Sequence, residues 1–314
     1  MNRNANLTAY LEHQPLRRLV FILLCLLMVK LGSLSAEDST DRSNSKDPSG
    51  VQDVVSIEVS DLNESSGLAV SHRQRNHFWS HNDSGGKAQL FAFNSSGKQT
   101  GQVELESATA LDWEDMASFK DDDMARILIA DCGDNLAKRE SIYLYLLDEP
   151  DPTKSTTSKT YQSLNVTYPD GAQNCEAVLV DASTRRIFLA TKSAFPRSAI
   201  FSVPLPDPRE KLKDKKITAK RVTTVPIPMV TAMDIDPNSG DLWLSNYFQL
   251  FRFKASDSNA SLNDQLGALP IPLVLPRWKQ IEAIAIDPSG DLWVTSEGER
   301  PPLGRIDVSQ IIAD

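Results

Sequence analysis

Five stretches of this 314-residue chain are variations on one unit. Each opens on a polar or acidic residue, runs through an alternating apolar strand, turns, and ends in a second apolar strand. They are SGLAVSHRQRNHFWSHND (66–83), EDMASFKDDDMARILIADCGDN (114–135), EAVLVDASTRRIFLATKS (176–193), TAMDIDPNSGDLWLSNY (231–247) and EAIAIDPSGDLWVTSE (282–297). Their first residues, Ser66, Glu114, Glu176, Thr231 and Glu282, lie 48, 62, 55 and 51 residues apart. Repeats of about 50 residues built from short strands point to propeller blades of four strands each.

Further strands follow the pairs: QLFAF and GQVEL in the first unit, IYLYLL and SLNVTY in the second. The fifth unit offers only LGRIDV before the chain ends, while VVSIEV (54–59) precedes the first unit. A strand from the N-terminus that completes the last blade closes the ring and removes its edges. The expectation is therefore an all-β fold: a β-propeller of five four-stranded blades over residues 51–314, with six blades as the alternative. A β-sandwich is the competing fold, but it gives no reason for DPNSGDLW and DPSGDLW to recur 51 residues apart. The Asp-Pro and Gly positions of those segments read as turn chemistry. Trp79, Trp113, Trp243 and Trp293 read as blade packing.

Residues 1–36 are not read as part of the fold. Arg17 and Arg18 precede an 11-residue apolar run (19–29), and the small-residue segment GSLSA follows. That is the layout of a signal peptide, and the run is shorter than the roughly 20 residues needed to span a bilayer. An exported protein with no stable membrane span after cleavage is expected, with residues 37–50 as a flexible polar linker. Cys132 and Cys175 then remain, and in an exported chain such a pair is expected to form a disulfide. The net charge of -9 argues against nucleic acid, whose phosphates select basic surfaces. The one basic run, KLKDKKITAKR (211–221), reads as a solvated loop and strand.

In a propeller the first strand of each blade lines the central channel, and its start shares a face with the end of the second strand. The starts contribute Asp112, Glu114, Glu176 and Glu282; the ends contribute His81, Asn82, Lys192, Asn246, Tyr247 and Glu297, with Asp83, Asp134 and Asn135 just beyond. Acids crowded at one mouth repel unless protonated or answered by a cation: two like charges 4 Å apart cost about 4 kcal/mol at an effective dielectric near 20. Oxygen ligands without a histidine cluster suit calcium better than zinc. The candidate metal ligands among these acids are Asp112, Glu114, Glu176 and Glu282. The candidate ligand rim is Asp83, Asn135, Lys192, Asn246, Tyr247 and Glu297. Candidates for a catalytic role are Glu114, Lys192 and His81; Lys192 reads equally as a salt-bridge partner, and His81 as a structural histidine.

The segments SGLAVS…WSHNDSGG, DWEDMA, DCGDN…R, YPDG…NCEAVLVD and EAIAIDPSGDLWVTSEGE resemble a family of exported bacterial β-propeller proteins. More distantly, the repeats are similar to phytase-like, gluconolactonase-like and NHL-type propellers. The resemblance implies a mouth that binds one or more divalent ions, with Glu114, Glu176 or Glu282 joined by Asn82 and Asp134 as a gluconolactonase-type set. Ser66 and Thr231 depart from a full ring of acids. Two functions stay open: a calcium-binding module for a small anionic ligand, a glycan or a protein, and a divalent-metal-dependent hydrolase of phosphate esters or lactones. A closed propeller need not assemble further, so a monomer is expected.

Overall fold

The computed structural model describes residues 47, 49–194, 197–255 and 261–308. The expected signal peptide and residues 37–46 of the expected linker lie outside them. Strand β1 (Val51–Ser56) precedes blade 1, which is β2 (Ser65–Val70), β3 (His77–Asn82), β4 (Gln89–Asn94) and β5 (Gln99–Leu105). Blade 2 starts with β6 (Trp113–Asp121), β7 (Met124–Asp131) and β8 (Ile142–Asp148). The chain then lays β9 (Ser155–Ser158) parallel along β5 before β10 (Gln162–Thr167) finishes blade 2.

Blade 3 repeats the manoeuvre. It has β11 (Cys175–Asp181), β12 (Arg186–Thr191) and β13 (Ser198–Pro204), then β14 (Lys215–Thr218) parallel to β10, then β15 (Lys220–Val225). Blade 4 is β16 (Ala232–Ile235), β17 (Leu242–Ser245) and β18 (Gln249–Phe253), a short helix α1 (Leu262–Leu266), and β19 (Ile271–Val274). Blade 5 is β20 (Ile281–Ile286), β21 (Leu292–Ser296), β22 (Pro302–Ile306) and β1. Five blades form; the six-bladed alternative does not.

The two parallel additions and the helix have no counterpart in the sequence reading. They cover outer blade edges, which otherwise present unpaired backbone groups. The basic run lies largely in β14 and the start of β15, with Lys215, Lys216 and Lys220 exposed, as expected of a solvated edge. Among the described residues no helix is long and apolar enough to cross a membrane.

Period-two alternation explains why each blade holds two neighbours. In β7, Ile127 and Ile129 face blade 1 while Leu128 and Ala130 face blade 3, all four wholly buried. The same division gives five apolar clusters, one between each pair of adjacent blades. Each fully buried Leu, Ile or Val contributes roughly 1.5–3 kcal/mol. The four tryptophans named above are all buried. The Asp-Pro-Gly segments are turns: Asp287 Oδ1 accepts from the Ser289 and Asp291 amides at 2.8 and 3.1 Å, and Gly290 has φ +87°.

The ring closes as expected, with β1 antiparallel to β22 and Val55 opposite Leu303. The strand starts three residues earlier than VVSIEV, and its pairing slips between Gln52 and Val55, where Asp53 has φ 52°. Beyond β1, the turn between β4 and β5 seals the seam: the Glu58 amide donates to the Gly97 carbonyl at 2.6 Å. Gly97 has φ +81°, and a Cβ there would lie 2.0 Å from the Ser56 carbonyl oxygen. Gly97→Ala is expected to destabilise the protein by about 1–3 kcal/mol, read as a lower denaturant midpoint with an unchanged slope. An unchanged midpoint would show that this turn does not hold the seam.

Candidate metal centre at the channel mouth

The mouth residues owe their direction to a recurrent irregularity. In blades 1, 2, 3 and 5 the pairing of first and second strands slips at Ser66, Glu114, Glu176 and Glu282. A bulged residue has no partner across the ladder and can be re-aimed. In Asp112–Asp115 it separates neighbours that strict alternation would arrange otherwise. Asp112 and Glu114 turn to the mouth, whereas Asp115 Oδ1 and Oδ2 accept from the Met116 and Val178 amides, both at 2.8 Å. Asp115 thus ties blade 2 to blade 3. Asp234 does the same between blades 4 and 5, accepting from Ile235 and Ile286 at 2.8 and 2.7 Å.

Blade 1 supplies the third acid. After β3 the chain runs alongside the start of β6, with Ser84 bridged to Asp112 and the Trp113 amide donating to the Asp83 carbonyl at 3.1 Å. One carboxylate oxygen each of Asp83, Asp112 and Glu114 then lie within 4.8 Å of one another. Gly133 makes the room: a Cβ there would stand 2.0 Å from Glu114 Oε1 and 2.5 Å from Asp112 Oδ2.

These acids are held against their charge. Burial raises the Glu114 carboxyl well above the ordinary range, and Glu176 and Asp83 raise it further. Burial and Asp112 push Asp83 to about 7; burial and Glu176 raise Asp112. Glu282 is pushed to about 8 by burial, with Glu297 adding and Lys192 opposing.

The residues fit a hard divalent cation. The donors are all carboxylate oxygens, as calcium or magnesium prefers. Asp83 Oδ1 is buried without a hydrogen-bond partner. Glu114 is 4% exposed, and the side chain facing it is another acid, Glu176, to which its carboxyl is hydrogen-bonded.

Glu176 links this cluster to a second group. It accepts from Asn174 Nδ2 at 2.7 Å and from Lys192 Nζ at 3.0 Å, and the Lys192 ammonium sits 5.1 Å from the centre of the Tyr247 ring. Burial disfavours the Lys192 charge, but Glu176, Tyr247 and Glu282 outweigh it and raise its pKa. Burial and Glu282 likewise raise the Tyr247 phenol. Glu297 lies beside Glu282.

Other expected residues are engaged elsewhere. Asn82 Oδ1 accepts from the Asn63 and Glu64 amides at 3.0 and 3.1 Å, so it pins the loop before β2 and is not brought to the cluster. Asp134 Oδ2 accepts from the Arg139 amide at 2.6 Å and likewise stands outside. Asn246 Oδ1 caps the turn before β18 through the Phe248 and Gln249 amides, and exposed Asn135 accepts from Asn174. His81 is wholly buried against Trp113, donates from Nδ1 to the Asn82 carbonyl at 3.0 Å in its neutral form, and is lowered to about 4 by burial. Ser66 and Thr231, the two departures from the acidic column, bond the main chain of the next blade at Glu114 and Ile281.

The expected disulfide is absent. Cys132 and Cys175 are free, buried thiols, and Cys132 Sγ donates to the Cys175 carbonyl oxygen 3.1 Å away. Burial also raises the Cys132 thiol, which keeps it protonated.

Two supporting residues escaped the sequence reading. Gly133 and Asn174 were visible in DCGDN and NCEA, but nothing in those words shows that one provides space and the other holds Glu176. Asp131, which the strand register already places at the mouth, takes a supporting role: its carboxylate accepts from the Leu111 and Asp112 amides at 3.2 and 3.1 Å and pairs with Arg139 at 2.9 Å, shaping the approach to the cluster.

No family profile matches the chain, and no curated protein does. Among solved structures, the Malassezia sympodialis allergen Mala s 1 is similar at 13% identity, over 82% of this chain and 97% of the allergen, with a TM-score of 0.51. The likeness is one of fold. A gluconolactonase from Xanthomonas campestris matches at 12% identity over 85% of this chain and 93% of its own, TM-score 0.45. A glucose dehydrogenase matches at 10% identity over 81% and 99%, TM-score 0.47. At such identities these neighbours carry no residue roles across.

Proposed function

We propose that this protein is an exported propeller whose mouth binds a divalent cation, calcium by its donor chemistry, and through it a ligand. The observation that carries the reading is the convergence of Asp83, Asp112 and Glu114 within 4.8 Å, with a buried Asp83 oxygen that has no hydrogen-bond partner. Those three acids would hold the ion, and Glu176 would flank it. Bound there, the ion would neutralise acids that otherwise repel and would attract ligand oxygens. Lys192, fixed by Glu176, would orient the ligand from the other side.

The placement of Lys192 also supports the second reading, a metal-dependent hydrolase of phosphate esters or lactones. A divalent ion lowers the pKa of bound water and polarises the attacked oxygen. Lys192 is 16% exposed and 3.0 Å from Glu176 Oε2, so its ammonium would face a substrate oxygen beside the ion.

The test is a calcium titration followed by calorimetry, on protein stripped with EDTA. Heat with a stoichiometry near one supports the site. Absence of binding up to millimolar calcium sinks it. Release of nitrophenol from nitrophenyl phosphate, or opening of a lactone, only when calcium is present would favour the hydrolase.

A further inference from the structure

Going round the ring, each blade covers the outer edge of the blade before it, always from the connection between its third and fourth strands. Blade 2 lays β9 along β5, and blade 3 lays β14 along β10. Blade 4 sends α1 against β15, where Leu262 and Leu266 pack with Val225. Blade 1 bridges Lys98 to Glu58, in parallel, just past β1. Among the described residues the edge of blade 4 alone lacks a cover: no strand pairs with the outer side of β19. Ile271 is 38% exposed there, and Leu269 before it 88%. In blade 5, β22 and β1 come from opposite ends of the sequence, so residues 307–314 stand where the other blades have their covering connection.

The edge itself selects the kind of cover. The Leu275 amide donates to the Phe248 carbonyl at 3.0 Å, and Leu273 lies opposite Leu250, so the odd-numbered residues turn their backbone groups towards β18. Pro272 and Val274 turn theirs outward, with Pro270 and Pro276 flanking them. Of these four, Val274 alone has an N–H, and an added strand would find almost no donors. A helix needs none, because it covers side chains. Ile271 shares with Leu273 and Leu275 the face of β19 turned towards blade 5.

The sequence after β22 matches α1. SLNDQL (261–266) and DVSQII (307–312) each have a polar residue, an apolar neighbour, a polar residue three places on and an apolar residue five places on. In α1 Ser261 caps the Asp264 amide, and Leu262 and Leu266 are buried. Asp307 and Gln310 have the spacing of a capping box, and Val308, Ile311 and Ile312 fall on one helical face. Val308 has helical backbone and packs against the cluster that holds Leu273 and Leu275.

We propose that residues 307–312 form a second edge helix, which docks on β19 and covers Ile271 and Leu269 with Ile311 and Ile312. Every blade edge is then closed by the chain's own next segment, and the apolar flank of blade 4 is withheld from other molecules. This surface is separate from the mouth and does not depend on the cation reading.

The experiment is amide hydrogen exchange on the full chain, wild type against a double variant, Ile311→Asp with Ile312→Asp. Exchange at Ile271, Leu273 and Leu275 is expected to quicken by about tenfold or more. Ile127 and Ile129 in β7 should not change, which shows that the variant folds. Ser309→Asp, away from the apolar face, should leave β19 as in wild type. Equal exchange at β19 in the double variant and wild type overturns the proposal. Protection that grows with protein concentration also overturns it, in favour of a second copy of the chain. Should the double variant lose protection throughout, Leu269→Cys with Ile312→Cys decides the matter. A short bismaleimide is expected to join those two thiols within one chain, and failure to do so overturns the proposal.

Discussion

Glu114→Gln is expected to raise the melting temperature of the metal-free protein and to abolish its response to calcium. The two effects have opposite signs because the cluster is strained without a cation and satisfied with one. Ionised carboxylate oxygens about 5 Å apart repel by roughly 3 kcal/mol per pair at an effective dielectric near 20, an upper limit because protonation relieves part of it. Glutamine keeps the shape that Gly133 accommodates, removes the charge, and gives Glu176 a donor. A gain of about 1–2 kcal/mol is therefore expected in EDTA. In wild-type protein, calcium at 100 times its dissociation constant adds about 2.7 kcal/mol, or about 5–10 °C for a domain of this size. The variant should show none of that shift. Thermal melts of both proteins in EDTA and in calcium decide the matter. A variant that melts lower than wild type in EDTA and keeps the calcium shift would make Glu114 a structural acid.

Raising the pH from 6.5 to 8 should destabilise the metal-free protein by about 2–3 kcal/mol. Asp83 and Asp234, each near 7, and Glu282, near 8, hold protons when folded that they release near pH 4 when unfolded. Folding therefore takes up protons. The stability these groups contribute is complete below about pH 4 and is lost as the pH rises through 7 to 8. Asp83 is partly open to water and is discounted in that figure. His81 has the opposite sign: burial lowers it to about 4, so its contribution is complete above about 6.5 and is lost on acidification. Between 6.5 and 8 the acids thus act almost unopposed. Calcium competes with the protons on Asp83 and its neighbours, so its stabilisation should grow over the same interval. Urea unfolding at the two pH values, with EDTA and with calcium, measures both slopes. Equal or greater metal-free stability at pH 8 would mean that these acids are ionised in the folded protein at neutral pH.

The blade count was legible because alternation and spacing are properties of the chain itself. A strand buried on both faces between two blades must read as β7 reads, and five such units 48 to 62 residues apart leave little choice of ring. The additions β9, β14 and α1 were not legible, because short polar segments such as STTS gain their order from the edge they cover. At the mouth, the sequence placed Asp112, Glu114 and Glu176 together but assigned Asn82 and Asp134 as ligands on resemblance. Their side chains are used by loop amides, a partnership that depends on where the loops before β2 and after β7 turn. Asp83 was placed on the rim for the same reason. Its move into the cluster follows from the bridge between Ser84 and Asp112, a contact between chain segments that no local pattern announces.

The slip in the ladder at Ser66, Glu114, Glu176 and Glu282 bears on how such a mouth can change over generations. A residue outside the ladder pairing can be exchanged with little disturbance to the sheet that carries it. Serine at one blade and glutamate at three others are then alternative occupants of equivalent sockets. Mutation can alter the chemistry of the mouth one blade at a time, while the apolar seams between blades go on holding the ring.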